Sequence, residues 1–501
     1  MRTSVLPRLV AGLCLLASPF ALAQSTPETV IIDAQSAAKP FPHFWEQMFG
    51  SGRAALTMRE SYRRDLKQVK GITDFRYVRF HAIFHDELGV YTEDRQGKPV
   101  YNFDYVDQIY DDLLDQGVKP FVELSFMPKL LAARLDYHPF WYKPIVSPPA
   151  DYAKWNALIT AFAQHLIDRY GIEEVASWYF EVWNEPNIDF WTGRPAQQTY
   201  FELYDNTARS LKAVNSRLRV GGPATAQAAW VDAIIAHATK DNVPLDFVST
   251  HAYGNDTAMD IVGHAQDVPP HQMLDVAIDK VHAQILASAK PDIPLIWSEF
   301  NATYMSERDI TDSVYMEPWL AHTISHSDGK VSLMSYWTFS DVFEEQGVIR
   351  NPLFGGFGLI AIYNLPKPSF NVFRLLHGLG DERIPAPQDD VLITKKKDGT
   401  LVVAAWNLAE PGANVPPKTF AFSLKGVKGN AAVRIERIDH EHGDLLAAYD
   451  KMGSPLYPSK TQLQQLRDVE KPETPQVEHL HGGSLTLTVP SQGLAVLEIG
   501  H

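Results

Sequence analysis

Between Phe41 and Leu379 the chain alternates short apolar runs, rich in β-branched and aromatic residues, with longer amphipathic stretches. The short runs are Phe44–Phe49, Tyr77–Phe84, Pro120–Phe126, Trp178–Trp183, Arg219–Gly222, Phe247–Tyr253, Leu295–Phe300 and Leu333–Phe339. Their length and composition predict strands. Between them, Ala55–Val69, Tyr105–Gln116, Tyr152–Tyr170, Thr199–Val214, Trp230–Thr239, Leu274–Ala289, Ser313–Ser325 and Ser369–Leu379 carry apolar residues at helical spacing. Eight strand–helix alternations predict an α/β fold, a (β/α)8 TIM barrel over 41–380. A doubly wound open sheet is the competing arrangement. It calls for a Gly-rich phosphate loop after an early strand, whereas Gly221-Gly222-Pro223 reads only as a turn.

The pattern changes after Gly380. Asp381–Asp390 reads as a polar, Pro-containing linker. Short alternating runs follow: Val391–Lys395, Leu401–Trp406, Thr419–Leu424, Ala431–Ile438, Leu485–Val489 and Leu494–Ile499. They predict an accessory antiparallel β-sandwich over 381–501. Within 24–40, the run Thr29–Ile32 is expected to pair into that sheet and tie the two ends of the chain together. Lys395-Lys396-Lys397 before Asp398-Gly399 reads as a charged hairpin.

Composition narrows the class. A chain of 501 residues with 45% apolar and 21% charged residues is globular and exceeds one ordinary domain. The formal charge of -15 argues against a nucleic-acid partner, which needs clustered Lys and Arg. Arg2 and Arg8, the apolar run Leu9–Leu22 and Ala21-Leu22-Ala23 read as a signal peptide over 1–23, with a mature start at Gln24. The expected product is exported, periplasmic or secreted, without a membrane anchor once the leader is gone. The one cysteine, Cys14, lies inside that leader, so the mature chain has no disulfide.

Candidate chemistry collects at the predicted strand ends, where barrels carry their function. Ser177–Trp191 reads S-W-Y-F-E-V-W-N-E-P-N-I-D-F-W and sets Glu185 among aromatic residues, whose faces stack on sugar rings. Burial there would keep its proton on near neutral pH. Glu299, in W-S-E-F-N, ends the seventh run, across the barrel from the fourth. Two facing carboxyl groups are what glycosidic cleavage needs: one protonates the leaving oxygen, and the other attacks the anomeric carbon or activates water. Arg79 and Tyr253 are expected to keep Glu299 ionised. Glu181 and Glu123 read as buried, hydrogen-bonded structural acids. His81 and His251 lack metal-ligand spacing such as H-x-x-x-H, so no metal and no cofactor is expected.

With these residues in place, the chain resembles the retaining (β/α)8 glycosidases, and within them glycoside hydrolase family 39 and its β-xylosidases. The resemblance is carried by Arg79–Tyr91 (R-F-H-A-I-F-H-D-E-L-G-V-Y), Glu181–Asn187 (E-V-W-N-E-P-N) and Thr250–Tyr253 (T-H-A-Y). Trp297–Asn301, Tyr336–Glu345 (Y-W-T-F-S-D-V-F-E-E) and Met452–Pro458 extend it over nearly all of the mature chain. It implies Glu185 as acid/base and Glu299 as nucleophile. It implies Asn184 on the sugar 2-hydroxyl, Arg79 and Tyr253 holding the nucleophile, and His81, His251, Phe126, Trp337, Glu344 and Glu345 shaping the sugar subsite. Two residues depart from the family pattern: Ala82 stands where many members have Gly, and Tyr449 where Trp is common. The implied activity is a metal-independent, retaining exo-β-xylosidase on xylo-oligosaccharides. Alternatives are an α-L-iduronidase-like enzyme, an arabinosidase, a β-glucosidase, a β-galactosidase or a non-catalytic glycan-binding barrel. Glu344-Glu345 at the sugar would repel a uronate and favour a neutral pentose.

Overall fold

The structure is a computed structural model that describes residues 26–413 and 415–500. The expected leader, 1–23, and its cleavage site lie outside the described residues.

Eight parallel strands close into a barrel: Met48–Gly50, Tyr77–Phe80, Lys119–Glu123, Tyr179–Glu181, Arg219–Thr225, Phe247–Tyr253, Leu295–Asn301 and Leu333–Tyr336. They are adjacent in chain order, and Ser335↔Met48 and Tyr336↔Phe49 close the ring, which excludes the open sheet. Four strands, the second, third, fourth and eighth, stop earlier than their apolar runs, and in two of them the backbone turns left-handed. The second ends before Ala82, at φ 75°, and the fourth before Trp183, at φ 74°. Left-handed backbone cannot continue a ladder, so it turns the chain into a loop at the barrel mouth.

The helices follow from local signals. Tyr152–Tyr170 starts where the Asp151 side chain accepts the Ala153 N–H at 2.7 Å, and it stops at Gly171, whose φ is 79°. Its Trp155, Leu158, Ile159, Phe162, Ala163 and Leu166 recur at helical spacing and are buried. Burying each large side chain stabilises the fold by roughly 1.5–3 kcal/mol.

Inward-facing positions recur every second residue along each strand and stack into layers. The lowest layer is apolar: Met48, Phe121, Phe247, Ile296 and Leu333, with Tyr77 and Tyr179 against them. Two residues higher on their strands stand Arg79, Glu123 and Glu181, all fully or almost fully buried. The barrel is thus plugged below by hydrocarbon and filled above by charge, directly under the mouth.

The β-domain is two sheets. Val30 and Ile32 of Glu28–Asp33 share its core with Phe420, Phe422, Leu485 and Leu487. Glu28–Asp33 runs parallel to Lys418–Lys425, which pairs antiparallel with Ser484–Val489. The larger sheet has the order Lys39–Pro40, Glu382–Ile384, Val391–Lys395, Leu401–Asn407, Gly493–Ile499, Ala432–Ile438, Gln476–His479. Its central strand is buried on both faces. Leu401, Val403 and Ala405 point into the sandwich, while Val402, Ala404 and Trp406 join the barrel core. Such two-sided burial joins the domains through hydrophobic contact. The sequence reading needs correction in two places. The expected linker Asp381–Asp390 contains the strand Glu382–Ile384, and the expected all-β region contains helices Leu445–Lys451 and Lys460–Val469. No helix among the described residues is long and apolar enough to cross a membrane.

Candidate active site

Arg79 organises the barrel mouth. Its Nε donates to Glu181 at 2.6 Å, its Nη1 to Glu299 at 2.5 Å and its Nη2 to Asn184 at 2.8 Å, while Glu123 lies 2.8 Å from Nη2. A planar guanidinium suits this fan of acceptors. Burial alone would favour deprotonation of Arg79, but the surrounding carboxylates reverse that and raise its pKa. Glu181 and Glu123 lie here as buried partners of Arg79, deeper than Glu299. Burial pushes Glu123 up, yet His81 and Arg79 outweigh it and hold the carboxyl below its usual range.

Glu299 lies within the seventh strand, nearly buried, and also accepts from Tyr253 OH at 2.7 Å. Two donors thus converge on this one carboxyl group. Glu185 sits four residues past the fourth strand, at φ 43°, a left-handed conformation that costs a non-Gly residue roughly 1–3 kcal/mol. Its N–H donates to Ala224 O at 2.8 Å, and Asn187 clamps Ala226 through both of its backbone groups, at 2.9 and 3.0 Å. The fifth strand and the turn after it thus hold the strained residue. Burial, and then the charge of Glu299, push the Glu185 carboxyl well above its ordinary value. The pair therefore sets a proton donor against a carboxyl group held by two donors.

His251 is wholly buried behind the pair, with Nδ1 2.9 Å from Glu185 Oε1 and 3.7 Å from Glu299 Oε2. One atom each of Glu185, His251 and Glu299 lies within 4.8 Å of the others. An oxygen pair within that limit fits the roughly 5–5.5 Å carboxyl spacing of retaining glycosidases better than the roughly 6.5–9.5 Å of inverting ones. This trio, and the separate trio His43, Glu46 and His377, are the groups among the described residues able to offer three metal ligands. Hydrogen bonds account for both: Arg79 already supplies cationic charge to Glu299, and Glu46 bonds both of its histidines at 2.6–2.9 Å.

Glu185 and Glu299 open into a cavity of about 370 Å³, within the roughly 300–1,000 Å³ of small-molecule sites. His81, Asn184, Tyr253, Trp337 and Glu345 line it with them. His81 Nδ1 bonds Glu123 at 2.7 Å, its Nε2 lies 3.5 Å from Glu345, and its ring stands 4.9 Å from that of Trp337. Trp337 lies across the end of the first strand, where a Cβ on Gly50 would strike its ring. Burial first, then the acids around it, push Glu345 to about 8.

Three expected subsite residues, His251, Phe126 and Glu344, are placed differently. His251 reaches the cavity only through Glu185, and Arg79, expected to hold the nucleophile, reaches it only through Glu299. Phe126 is wholly buried behind His81, with ring centroids 5.9 Å apart. Glu344 turns away from its neighbour and bonds Arg59 at 2.5 and 2.9 Å, because its φ of 60° reverses the chain direction there. The aromatic residues around Glu185 are also mostly structural. Trp178, Trp183 and Trp191 are fully buried, and Phe190 is the ring of that stretch that lines the cavity. Sequence reasoning missed Phe140, Gln227, Asp256, Tyr304 and Phe357, which also line it. Their signal was position: Gln227, Asp256 and Tyr304 follow the fifth, sixth and seventh strands within a few residues.

A profile of Glycosyl hydrolases family 39 matches residues 28–484. A β-xylosidase of Geobacillus stearothermophilus is 38% identical over 440 residues, 85% of this chain and 86% of its own length. A monomeric β-xylosidase from Caulobacter crescentus superposes with a TM-score of 0.85 at 35% identity, covering 94% of this chain and 99% of that one. A family 39 enzyme from Xanthomonas axonopodis pv. citri gives 0.86 at 34% identity, covering 95% and 97%.

Proposed function

This chain belongs to glycosyl hydrolase family 39, and we propose from that premise that it is a retaining, exo-acting β-xylosidase. The observation that carries the reading is the Glu185–Glu299 pair: an acid with a raised pKa and a carboxyl group held by Arg79 and Tyr253, with oxygens within 4.8 Å. Glu299 attacks the anomeric carbon and forms the glycosyl–enzyme bond as the C–O bond to the leaving group breaks. Glu185 gives its proton to the departing oxygen. It then takes a proton from water, whose oxygen displaces Glu299 and releases the sugar with its configuration retained. Asn184, fixed by Arg79, is placed for the 2-hydroxyl, and Glu345 and His81 for hydroxyls farther around the ring.

A neutral pentose suits the cavity better than a uronate. Glu185, Asp256, Glu299 and Glu345 line it, and no Lys or Arg does so among the described residues. The discrimination rests on the missing cationic partner for a sugar carboxylate rather than on Glu344, which lies outside. The test is a panel of aryl β-xyloside, β-glucoside, α-arabinoside and α-iduronide. The highest kcat/KM is expected for the xyloside, with β-xylose as the first product by NMR. An α-product or a faster iduronide reaction overturns the reading. We further propose export through the leader 1–23, which N-terminal sequencing of the exported protein would check at Gln24.

A further inference from the structure

The two ends of the cavity differ in chemistry. Around Glu299 stand His81, Trp337 and Glu345, which enclose the sugar under attack. The leaving group departs on the other side, past the acid that protonates it. There the cavity is lined by Gln227, held next to Glu185 by the Asn187–Ala226 clamp, and by Asp256 from the loop after the sixth strand.

Asp256 is nine-tenths buried and fixed in place: its Oδ2 accepts the Tyr253 N–H at 2.8 Å, and its own N–H returns to Tyr253 O at 3.1 Å. Among the described residues, its other oxygen forms no hydrogen bond. The Gln227 amide likewise has no partner among them, although the residue is held at φ 60°. Tyr304, half exposed, stands beside them: its N–H bonds Asn255 at 3.0 Å and its ring meets that of Tyr253 edge-on at 6.0 Å. A positioned carboxyl, a free amide and an exposed ring form a hydroxyl-binding arrangement. An aryl or alkyl leaving group leaves such polar groups unanswered, and that costs binding energy.

We infer that Asp256 and Gln227 form a subsite for the departing half of the substrate and select a hydroxyl-bearing sugar, so the enzyme is built for oligosaccharides over simple glycosides. This rests on the glycosidase reading above and names the leaving-group side of the same site.

The test compares kcat/KM on xylobiose and on p-nitrophenyl β-xyloside for the wild type, Asp256→Ala and Gln227→Ala. The expected result is a fall of about tenfold or more in the xylobiose-to-aryl ratio for each variant, the size of one lost hydrogen bond. Gln227→Ala removes no charge, so a fall in its ratio cannot arise from a changed Glu185 proton. It also carries the test alone if Asp256→Ala fails to fold. An unchanged ratio in Gln227→Ala, with activity on both substrates intact or equally reduced, overturns the subsite. If the wild type cleaves another aryl glycoside instead of the xyloside, the sugar assignment fails separately, and the ratio is measured on the aryl glycoside and disaccharide of that sugar.

Discussion

Glu185 and His251 share a 2.9 Å hydrogen bond, and the imidazole is uncharged when they meet. Burial, and then the charges of Arg79 and His81, hold the His251 pKa well below its ordinary value. A cation there would pull the proton off Glu185 before the leaving group needed it. In the tautomer that carries its proton on Nδ1, the neutral ring donates to the carboxylate after the Glu185 proton has gone.

This arrangement sets the alkaline side of the pH–rate profile. Activity is lost as pH rises through the raised pKa of Glu185, because the deprotonated form cannot assist departure. Replacing His251 by Ala removes a donor to the ionised form, so the alkaline limb of kcat/KM should move to higher pH. A limb that stays in place assigns that ionisation to another group. Glu185→Gln should slow substrates with poor leaving groups by about 10²–10⁴-fold. Substrates whose leaving group departs without a proton should lose far less in kcat/KM. Equal losses for both would remove Glu185 from the acid role.

The neighbours Glu344 and Glu345 should behave differently. Glu345 lines the cavity with a carboxyl pushed up to about 8, so at pH 6 it is protonated. Glutamine mimics that form. Glu345→Gln should keep activity within a few fold at pH 6, while Glu345→Ala raises KM by about tenfold or more. Glu344→Ala breaks the pairs with Arg59 and Arg53 outside the cavity and should change KM by less than about threefold. A larger KM effect from Glu344 than from Glu345 contradicts the placement.

Ala82 occupies a left-handed position, with φ 75°, a region that favours Gly. The conformation costs an L-residue roughly 1–2 kcal/mol. Glycine removes that cost but frees the unfolded chain by about 0.4–1 kcal/mol. Ala82→Gly should therefore raise stability by up to about 1.5 kcal/mol, read from denaturant unfolding. A loss would mean that the methyl contacts in this buried site outweigh the strain.

Glu317, on helix Met316–Ser327, is fully buried, and among the described residues neither carboxylate oxygen has a hydrogen-bond partner. Burial, and then Glu470, Asp439 and Asp444, raise its pKa well above 4.5. A raised folded-state pKa means that its contribution to stability is complete below the unfolded value and lost as pH climbs toward the folded one. Thermal stability should thus fall from pH 5 to pH 9, and Glu317→Gln should shrink that fall by about 2 °C or more. An unchanged slope would show that Glu317 does not carry this pH dependence.

The periodic residues made the fold legible. Tyr152–Tyr170 and Phe247–Tyr253 have the boundaries their apolar spacing predicts, because each is a regular element ended by a local signal. The sequence also placed Glu185 and Glu299 at facing strand ends. What periodicity does not encode is backbone that leaves the regular regions. Glu344 and Glu345 are adjacent and alike, yet one positive φ sends them to different surroundings. Trp183 reads as a sugar platform until its indole is seen donating to Phe190 O at 2.7 Å inside the core. Gln227 and Asp256 lie in loops, where composition carries little information about which way a side chain points.

The strand Glu28–Asp33 leaves the ribosome early, yet Glu28 pairs with Phe420 and Lys39 with Arg383. Contacts of such sequence separation form late, since the loop they close spans the whole barrel. The barrel can therefore assemble while its leading segment still waits for a partner, and the edge of Lys418–Lys425 stays open until that segment docks. Final docking should limit the rate of folding and leave an aggregation-prone edge exposed meanwhile. A circular permutant that moves 28–40 behind the last strand would bring these partners close in sequence and remove that wait.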